Sequence, residues 1–264
     1  MTFTELGRTL MIYSGVLAVI LGACMGSFLN CTAWRIARDE DFTKGRSRCP
    51  KCGHDLGALD LVPVLSWVFL RGRCRYCGEK VSVRYPLTEL LCAALTLACL
   101  LRFGFTIIAA RNLVFLMCLF CLSLVDLDVQ IIPDGCLIIA ALAWLAAAPF
   151  SGAGWGDVLR CVGAGLVFGG GILCVSLVMD KILQKDTLGG GDIKLLAVVG
   201  LYLGFVGTLM ALLLACVLGL LLAAAMKKKA GQAFPFGPAI AAAAALVLLY
   251  GGGVIRWYLG LLGY

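Results

Sequence analysis

The chain has 264 residues, of which 62% are hydrophobic and 14% are charged. Soluble domains are about 45–50% apolar, so this composition excludes an ordinary soluble domain and predicts a membrane protein with several spans. The formal net charge of +7 does not indicate nucleic-acid binding, because lysine and arginine near membrane spans chiefly set the orientation of the chain. We therefore expect contact with membrane lipid and none with nucleic acid.

Long apolar stretches predict an all-α, polytopic fold with about eight transmembrane helices. The predicted spans are 11–33, 86–103, 106–125, 134–150, 158–179, 193–206, 208–226 and 238–255. No small-residue cleavage site follows the first span, which is also too long for a signal-peptide core, so we expect it to be retained. The expected parts are a first transmembrane helix (1–34), a hydrophilic insert (35–85) and a transmembrane core (86–264).

Basic residues predict the orientation of these spans. The insert carries 11 Lys and Arg against six Asp and Glu, which places it in the cytoplasm and the N-terminus outside. With eight spans, 17 of the 22 basic residues lie on the cytoplasmic side. One continuous helix over 193–226 would place Lys227, Lys228 and Lys229 outside, so we expect a turn near Gly204–Gly207.

Two copies of Cys-x-x-Cys-Gly in the insert predict a metal site. The cysteines are Cys49, Cys52, Cys74 and Cys77. Two thiolates around a tight turn can bind one metal ion, and two such knuckles complete a tetrahedral four-thiolate site, for which zinc is the expected ion. Such a site has no open position, so we expect the zinc to be structural. A redox pair or unbound thiols are the alternatives.

The scarcity of histidine limits the hydrolytic chemistry. His54 is the only histidine in the chain, and it lies within the first knuckle. A single histidine excludes an HExxH metalloprotease motif, and its position in the knuckle argues against a Ser-His-Asp triad. Acid–base chemistry in the membrane would then use Asp, Glu, Lys or Tyr.

Two carboxylates at span ends are the candidates for that chemistry. Asp192 follows three glycines and opens an apolar run; a carboxylate there is costly and suggests function, although it could also cap a helix. Asp126 ends the third span, where the helix dipole disfavours its charge. In the predicted topology both lie at the same depth on the cytoplasmic side. They would share one proton, so that one activates water and the other protonates a carbonyl oxygen.

Other carboxylates near span ends have a simpler interpretation. Asp134 follows Pro133 and Glu89 opens the second span, and both positions suit the positive end of a helix dipole. The patterns around Asp134, Glu89 and Lys194 do not define a role for any of them.

Several motifs together resemble the type IV prepilin peptidases, also called the prepilin leader peptidase/N-methyltransferase family. The similar segments are Gly26-Ser27-Phe28-Leu29-Asn30, Leu61 to Trp67, Arg71-Gly72-Arg73-Cys74, Arg84 to Leu90, Asp126 with Ile132-Pro133-Asp134, Gly189-Gly190-Gly191-Asp192 as GxGD, and Phe234-Pro235-Phe236-Gly237-Pro238. The resemblance covers most of the chain.

The resemblance implies an aspartyl endopeptidase of the bacterial inner membrane. It would remove, after a glycine, the short basic leader of type IV prepilins or type II secretion pseudopilins. Carried over to this sequence, it makes Asp126 and Asp192 the catalytic pair and Cys49, Cys52, Cys74 and Cys77 the zinc ligands. Many members also methylate the new N-terminus with S-adenosylmethionine, but no methyl-donor site is identified from the residues.

Two other functions remain as alternatives. A transporter could use the aspartates as an ion or proton relay, although no inverted repeat is visible and both carboxylates are predicted at one face of the membrane. A non-catalytic assembly factor for a pilus or secretion system would need neither carboxylate.

Overall fold

The computed structural model describes residues 3–41, 45–152, 154–184, 189–226 and 234–261. The described residues form helices joined by short loops, and their only β pairing is two isolated bridges. The chain divides into two compact units, Met1–Phe105 and Thr106–Tyr264. The predicted all-α membrane fold is confirmed.

Eight α-helices are present in the described residues. They are α1 (Phe3–Ile36), α2 (Leu65–Phe69), α3 (Arg84–Phe103), α4 (Ile107–Val129), α5 (Asp134–Ala147), α6 (Trp155–Leu183), α7 (Gly190–Ala225) and α8 (Gly237–Leu261). Short 3-10 helices cover Ala58–Asp60 and Ala148–Phe150. Helices α1, α3, α4, α6 and α7 are long and apolar enough to cross a membrane, while α5 and α8 contribute the shorter apolar segments Asp134–Phe150 and Gly237–Gly253.

The first unit is a helical hairpin whose two long helices approach closely through glycines. A Cβ added at Gly22 would lie 2.8 Å from the Cα of Ala93, and one at Gly26 would lie 2.8 Å from the Cα of Glu89. Gly22 and Gly26 form a GxxxG pair, which allows the backbones of membrane helices to touch. This contact between α1 and α3 brings together the two ends of the hydrophilic insert.

The second unit packs around α7. A Cβ at Gly200 would lie 2.6 Å from the Cα of Gly165, and one at Gly169 would lie 2.8 Å from the Cβ of Ala197. Helices α6 and α7 are therefore in contact along a line of small residues. On the other side of α7, the rings of Tyr202 and Phe115 stack with their centroids 3.8 Å apart.

Helix α7 reverses direction at Gly204, where the sequence predicts a turn. Gly204 has φ 64° and ψ −173°, which is not helical. A straight helix would separate Gly191 from Gly219 by about 42 Å. Instead, the Cβ positions of Gly191 and Gly237 both contact Ile132, and that of Gly219 lies 2.8 Å from the ring of Phe236. The start of α7 and Gly219 in its second arm thus both lie near the start of α8, and the two arms account for spans six and seven.

A hydrogen bond closes this turn. The hydroxyl of Thr208 donates to the carbonyl oxygen of Gly204 at 2.6 Å. An unpaired carbonyl is costly at membrane depth, so this bond makes the non-helical backbone tolerable there.

The predicted division into 1–34, 35–85 and 86–264 stays a prediction. Within the compact units, α3 belongs with α1 and the insert. The basic residues Lys185 and Lys227 to Lys229, which support the predicted orientation, lie outside the described residues.

Candidate active site and metal centre

Asp126 is buried near the end of α4. Only 5% of the residue is exposed. Helix α4 ends three residues later at Val129, and the next residue, Gln130, adopts the left-handed conformation with φ 57°. The backbone N–H of Gly237, 111 residues away, donates to Oδ2 of Asp126 at 3.0 Å. The first residue of α8 is therefore in direct contact with one of the two predicted catalytic carboxylates.

Asp192 lies in the first turn of α7. Its Oδ1 is buried and has no hydrogen-bond partner among the described residues. Ile132 contacts the Cβ position of Gly191, the neighbour of Asp192, and also that of Gly237, whose Cβ position contacts Oδ2 of Asp126. The two predicted catalytic carboxylates therefore lie on either side of Ile132, in one region of the second unit. A buried carboxylate oxygen without a partner requires an explanation, and a substrate group is the natural one at such a site.

Ile132 explains why these helix starts contain glycine. A Cβ at Gly191 would lie 2.9 Å from the Cβ of Ile132, and a Cβ at Gly237 would lie 3.3 Å from its Cδ1 and 2.7 Å from Oδ2 of Asp126. The segment between α4 and α5 is thus held between the starts of α7 and α8. A Cβ at Gly190 would meet no atom within 4 Å.

Asp134 and Lys194 form an ion pair beside the carboxylates. Nζ of Lys194 lies 2.8 Å from Oδ1 and 2.9 Å from Oδ2 of Asp134. Both side chains are 59% exposed, so solvent screens the pair and its contribution to stability is small. The pair joins the start of α5 to the first turn of α7, and it satisfies the charge of Lys194 two residues from Asp192.

The two cysteine knuckles have the same backbone structure. The N–H of Cys49 bonds to the carbonyl of His54 at 3.0 Å, and that of Cys74 bonds to the carbonyl of Glu79 at 2.8 Å. Isolated antiparallel bridges, Arg48 with Asp55 and Arg73 with Lys80, close the two turns. The glycine that follows each second cysteine has a φ near +70°, as the tight turn requires.

The four predicted metal ligands meet at one point. The sulfurs of Cys49, Cys52, Cys74 and Cys77 all lie within 4.8 Å of one another. In a tetrahedral zinc–thiolate site with Zn–S bonds of about 2.3 Å, the sulfurs are about 3.8 Å apart. The donor set and its spacing therefore fit one zinc ion. His54 is not part of the cluster; its ring stacks on Tyr76 with the centroids 3.7 Å apart.

Asp60 fastens the second knuckle to the rest of the insert. Its carboxylate accepts hydrogen bonds from Nε of Arg75 at 2.6 Å, from the hydroxyl of Tyr76 at 3.0 Å and from the N–H of Gly57 at 3.0 Å. Burial alone would raise the pKa of the Asp60 carboxyl, but these hydrogen bonds outweigh burial and hold its pKa below the usual range. The charged form of Asp60 is thus the form that braces the insert.

Glu89 lies inside α3, one turn later than a helix-start residue. It is 6% exposed, and its Oε2 accepts the N–H of Val64 at 2.7 Å. Val64 has φ 61°, a strained value for a β-branched residue. The bond fixes the loop before α2 to the membrane helix α3.

A cavity of about 370 Å³ lies between the insert and the adjoining ends of α1 and α3. Three aromatic rings line it, from Trp34, Trp67 and Tyr85, together with the carboxylate of Glu89. The indole N–H of Trp67 donates to the carbonyl of Val81 at 3.1 Å, which fixes the ring. The volume lies within the range of about 300–1,000 Å³ that is typical of small-molecule sites.

Sequence reasoning identified the carboxylates and cysteines but missed several contacts. Ile132 and Gly237 belong to motifs that the family resemblance singled out, so the signal for their importance was present without their partners. No pattern in the sequence pointed to Asp60 as a brace or to the bond between Glu89 and Val64.

Two family models match the chain. One, described as the bacterial peptidase A24 N-terminal domain, matches residues 20–103, and the other, the type IV leader peptidase family, matches residues 113–224. The boundary between these matches lies close to the boundary between the two compact units.

Curated relatives named prepilin leader peptidase/N-methyltransferase are similar over most of the chain. A relative from Myxococcus xanthus (strain DK1622) is 38% identical, with 83% of this chain and 65% of the relative aligned. One from Bacillus subtilis (strain 168) is 34% identical over 91% of this chain and 96% of the relative. One from Pseudomonas putida is 32% identical over 96% of both. No solved structure matches the chain.

Proposed function

The chain belongs to the type IV leader peptidase family, and from this premise we propose that it is a membrane aspartyl endopeptidase. Its substrates are type IV prepilins or type II secretion pseudopilins, and it removes their basic leader after a glycine. The observation that supports this proposal is that Asp126 and Asp192 lie on either side of Ile132, where a buried oxygen of Asp192 has no partner among the described residues.

In this proposal the two carboxylates perform acid–base catalysis. One carboxylate removes a proton from a water molecule as its oxygen attacks the scissile carbonyl carbon, and the other gives a proton to the carbonyl oxygen. The apolar surroundings suit a substrate that brings its own membrane-inserted segment. Glycine at the cleavage site lets the peptide extend without a side-chain clash.

The test is the loss of cleavage on removing either charge. Purified protein in detergent is incubated with a prepilin, and the N-terminus of the product is sequenced. We expect Asp126→Asn and Asp192→Asn each to lower the cleavage rate at least about a hundredfold. Asp128→Asn, which changes an exposed carboxylate, should cleave at the wild-type rate. Intact cleavage with loss of an ion flux would support the transporter instead, and no effect on either would support an assembly factor.

The cysteine cluster is proposed to hold structural zinc. Zinc would tie the two knuckles together in an insert that is too short to bury a full core of its own. We expect about one zinc per chain in the wild type, and little in the Cys74→Ser variant, measured by elemental analysis of purified protein. Cys24→Ser, outside the cluster, serves as the control. Full zinc content in Cys74→Ser would refute the four-thiolate assignment.

Methylation of the new N-terminus is the second proposed activity, with S-adenosylmethionine as the donor. The relatives carry N-methyltransferase in their names, and the cavity of the first unit fits the donor by its size and chemistry. Adenine stacks on aromatic rings such as Trp67, and the cationic sulfonium and ammonium groups favour carboxylates and aromatic faces. Glu89 and Trp67 are thus the residues proposed to hold it.

Binding of the donor can be measured without any turnover. In equilibrium dialysis with S-adenosylmethionine, we expect Glu89→Gln to weaken binding at least about tenfold, because glutamine keeps the acceptor for Val64 but loses the negative charge. Asp157→Asn, an exposed residue of the second unit, should bind as the wild type does. Unchanged binding by the Glu89→Gln protein would place the donor elsewhere.

We also propose that the insert and both catalytic carboxylates lie on the cytoplasmic side, with the N-terminus outside. The excess of basic residues in the insert supports this orientation. The chain would then occupy the bacterial cytoplasmic membrane as a multi-pass protein.

A further inference from the structure

The start of α8 makes a contact that the proposed cleavage chemistry does not explain. The first N–H groups of a helix have no acceptor within the helix and carry partial positive charge. At Gly237 this N–H is directed to Oδ2 of Asp126, 3.0 Å away in a buried position. A hydrogen bond from a helix N-terminus to a buried carboxylate favours the ionised form of that carboxylate.

The surroundings of Asp192 differ. Its Oδ1 is buried without a partner among the described residues, and no side-chain bond caps the start of α7. The basic side chain nearest to it along α7, Lys194, is paired with Asp134 at 2.8 Å. Within the part of the chain that the structure describes, Oδ1 of Asp192 therefore has no donor like the one that Gly237 supplies to Asp126.

The helix dipoles favour a charge on Asp192 over one on Asp126, but their effect is smaller than that of the hydrogen bond to Asp126. The dipole of α7 favours a charge on Asp192, and the end of α4 disfavours one on Asp126. Gly189 and Gly190 at the start of α7 are exposed, so water weakens the dipole there. The bond between Gly237 and Asp126 is short and buried, and such a bond is stronger than the field of a solvated helix end.

We propose that Gly237 holds the negative charge on Asp126, and that Asp192 keeps the proton which the pair shares. This assignment rests on the proposed peptidase function. Asp126 takes a proton from water while the water oxygen bonds to the scissile carbon, and Asp192 gives its proton to the carbonyl oxygen. When the C–N bond breaks, Asp126 returns its proton to the leaving nitrogen and Asp192 regains one from a hydroxyl of the diol. Gly237 is a positioning residue in this scheme.

Thermal unfolding tests which carboxylate bears the charge. Asparagine at position 126 loses a charge-assisted hydrogen bond, whereas asparagine at position 192 resembles the neutral acid in shape. At pH 7 in detergent we expect Asp126→Asn to lower the unfolding temperature by about 3 °C or more, and Asp192→Asn to change it by less than about 1 °C. An equal or larger loss for Asp192→Asn would overturn the assignment.

Kinetics of a Gly237 variant test the positioning role independently. A Cβ at Gly237 would lie 2.7 Å from Oδ2 of Asp126 and must displace it. With a prepilin peptide we expect Gly237→Ala to lower kcat at least about tenfold with KM within about twofold. The acidic limb of kcat/KM should move to higher pH, because the charge on Asp126 is less well stabilised. A rise in KM alone, or an unmoved acidic limb, would contradict the role of Gly237.

Gly253→Ala is the matched control, since a Cβ at Gly253 in the same helix would meet no atom within 4 Å. Its kinetics and pH profile should equal those of the wild type. The experiments distinguish a failure of the proposed peptidase function from a failure of the charge assignment. If both asparagine variants still cleave, the peptidase function is wrong whatever the unfolding temperatures; if both lose cleavage but unfold alike, only the charge assignment is wrong.

Discussion

Two neighbouring glycines at the start of α7 have different surroundings, so alanine at one position can serve as the control for alanine at the other. A Cβ at Gly191 would lie 2.9 Å from the Cβ of Ile132, whereas one at Gly190 would meet nothing within 4 Å. We expect Gly191→Ala to lower kcat/KM for leader cleavage at least about tenfold, because Ile132 or Asp192 must move. Gly190→Ala should stay within about twofold.

The measurement is steady-state cleavage by both variants at matched zinc content, which shows that the insert remains folded. Equal activities would mean that Ile132 yields without moving the carboxylates. A loss in Gly190→Ala alone would instead indicate that the substrate passes over that exposed glycine.

At the level of residues, the sequence indicated which carboxylates are candidates for function, but not which residues contact them. Asp126 and Asp192 stand out because a carboxylate at the edge of a membrane span is costly. The glycines before Asp192 were noted without a partner, and in the structure Gly191 leaves room for the side chain of Ile132. That contact, and the bond from Gly237 to Asp126, join positions far apart in the chain, so no local spacing predicts them.

The contact between α6 and α7 depends on the absence of side chains. A Cβ at Gly200 would lie 2.6 Å from the Cα of Gly165, an overlap with backbone that no rotamer change relieves. We expect Gly200→Ala to destabilise the protein by about 1–3 kcal/mol, seen as a lower unfolding temperature in detergent.

Gly170→Ala in α6 is the control, since a Cβ there meets no atom within 4 Å. Alanine has the higher helix propensity, so this variant should unfold at the wild-type temperature or slightly above it. A similar fall in the unfolding temperature of both variants would show that the close approach of α6 and α7 does not account for the loss of stability.

Local sequence patterns predicted the secondary-structure elements better than they predicted individual residue contacts or the arrangement of the whole molecule. The repeated Cys-x-x-Cys-Gly fixes two identical turns, because cysteine spacing and glycine conformation are properties of a few adjacent residues. The brace at Asp60 was missed since it lies between the repeats and acts through Arg75 and Tyr76. Glu89 was interpreted as a helix-start residue, but it binds Val64 from inside α3.

The reversal at Gly204 determines on which side of the membrane the chain ends. With two arms in α7, the described helices give an even number of passes, so the proposed orientation places both termini outside. One straight α7 would place the C-terminus inside. We expect epitope tags at either terminus to be degraded by protease added to spheroplasts, while a tag placed within the insert is protected until the membrane is permeabilised.

Protection of the C-terminal tag alone would show that α7 crosses once. Degradation of the tag in the insert before permeabilisation would overturn the proposed orientation as a whole.

For the molecule as a whole, hydropathy and charge predicted the number of spans and the place of the turn. Apolar runs report directly on membrane crossing, and the basic residues after residue 226 required a reversal before them. The grouping of α3 with α1 in one compact unit was not predicted. It depends on Gly22 and Gly26 meeting a helix some seventy residues later.

The turn at Gly204 also changes how the lipid must arrange itself around the second unit. The first arm of α7, residues 190–203, is about 21 Å long, against a hydrocarbon layer of about 30 Å. Phe205 and Val206 at the turn are apolar and exposed, 54% and 41% respectively. We therefore expect the turn to end among acyl chains and the bilayer to thin beside it. Under the proposed function, we expect the depth of Asp192 below the membrane surface to vary with acyl-chain length, and lipid composition to help decide which peptide bond reaches it.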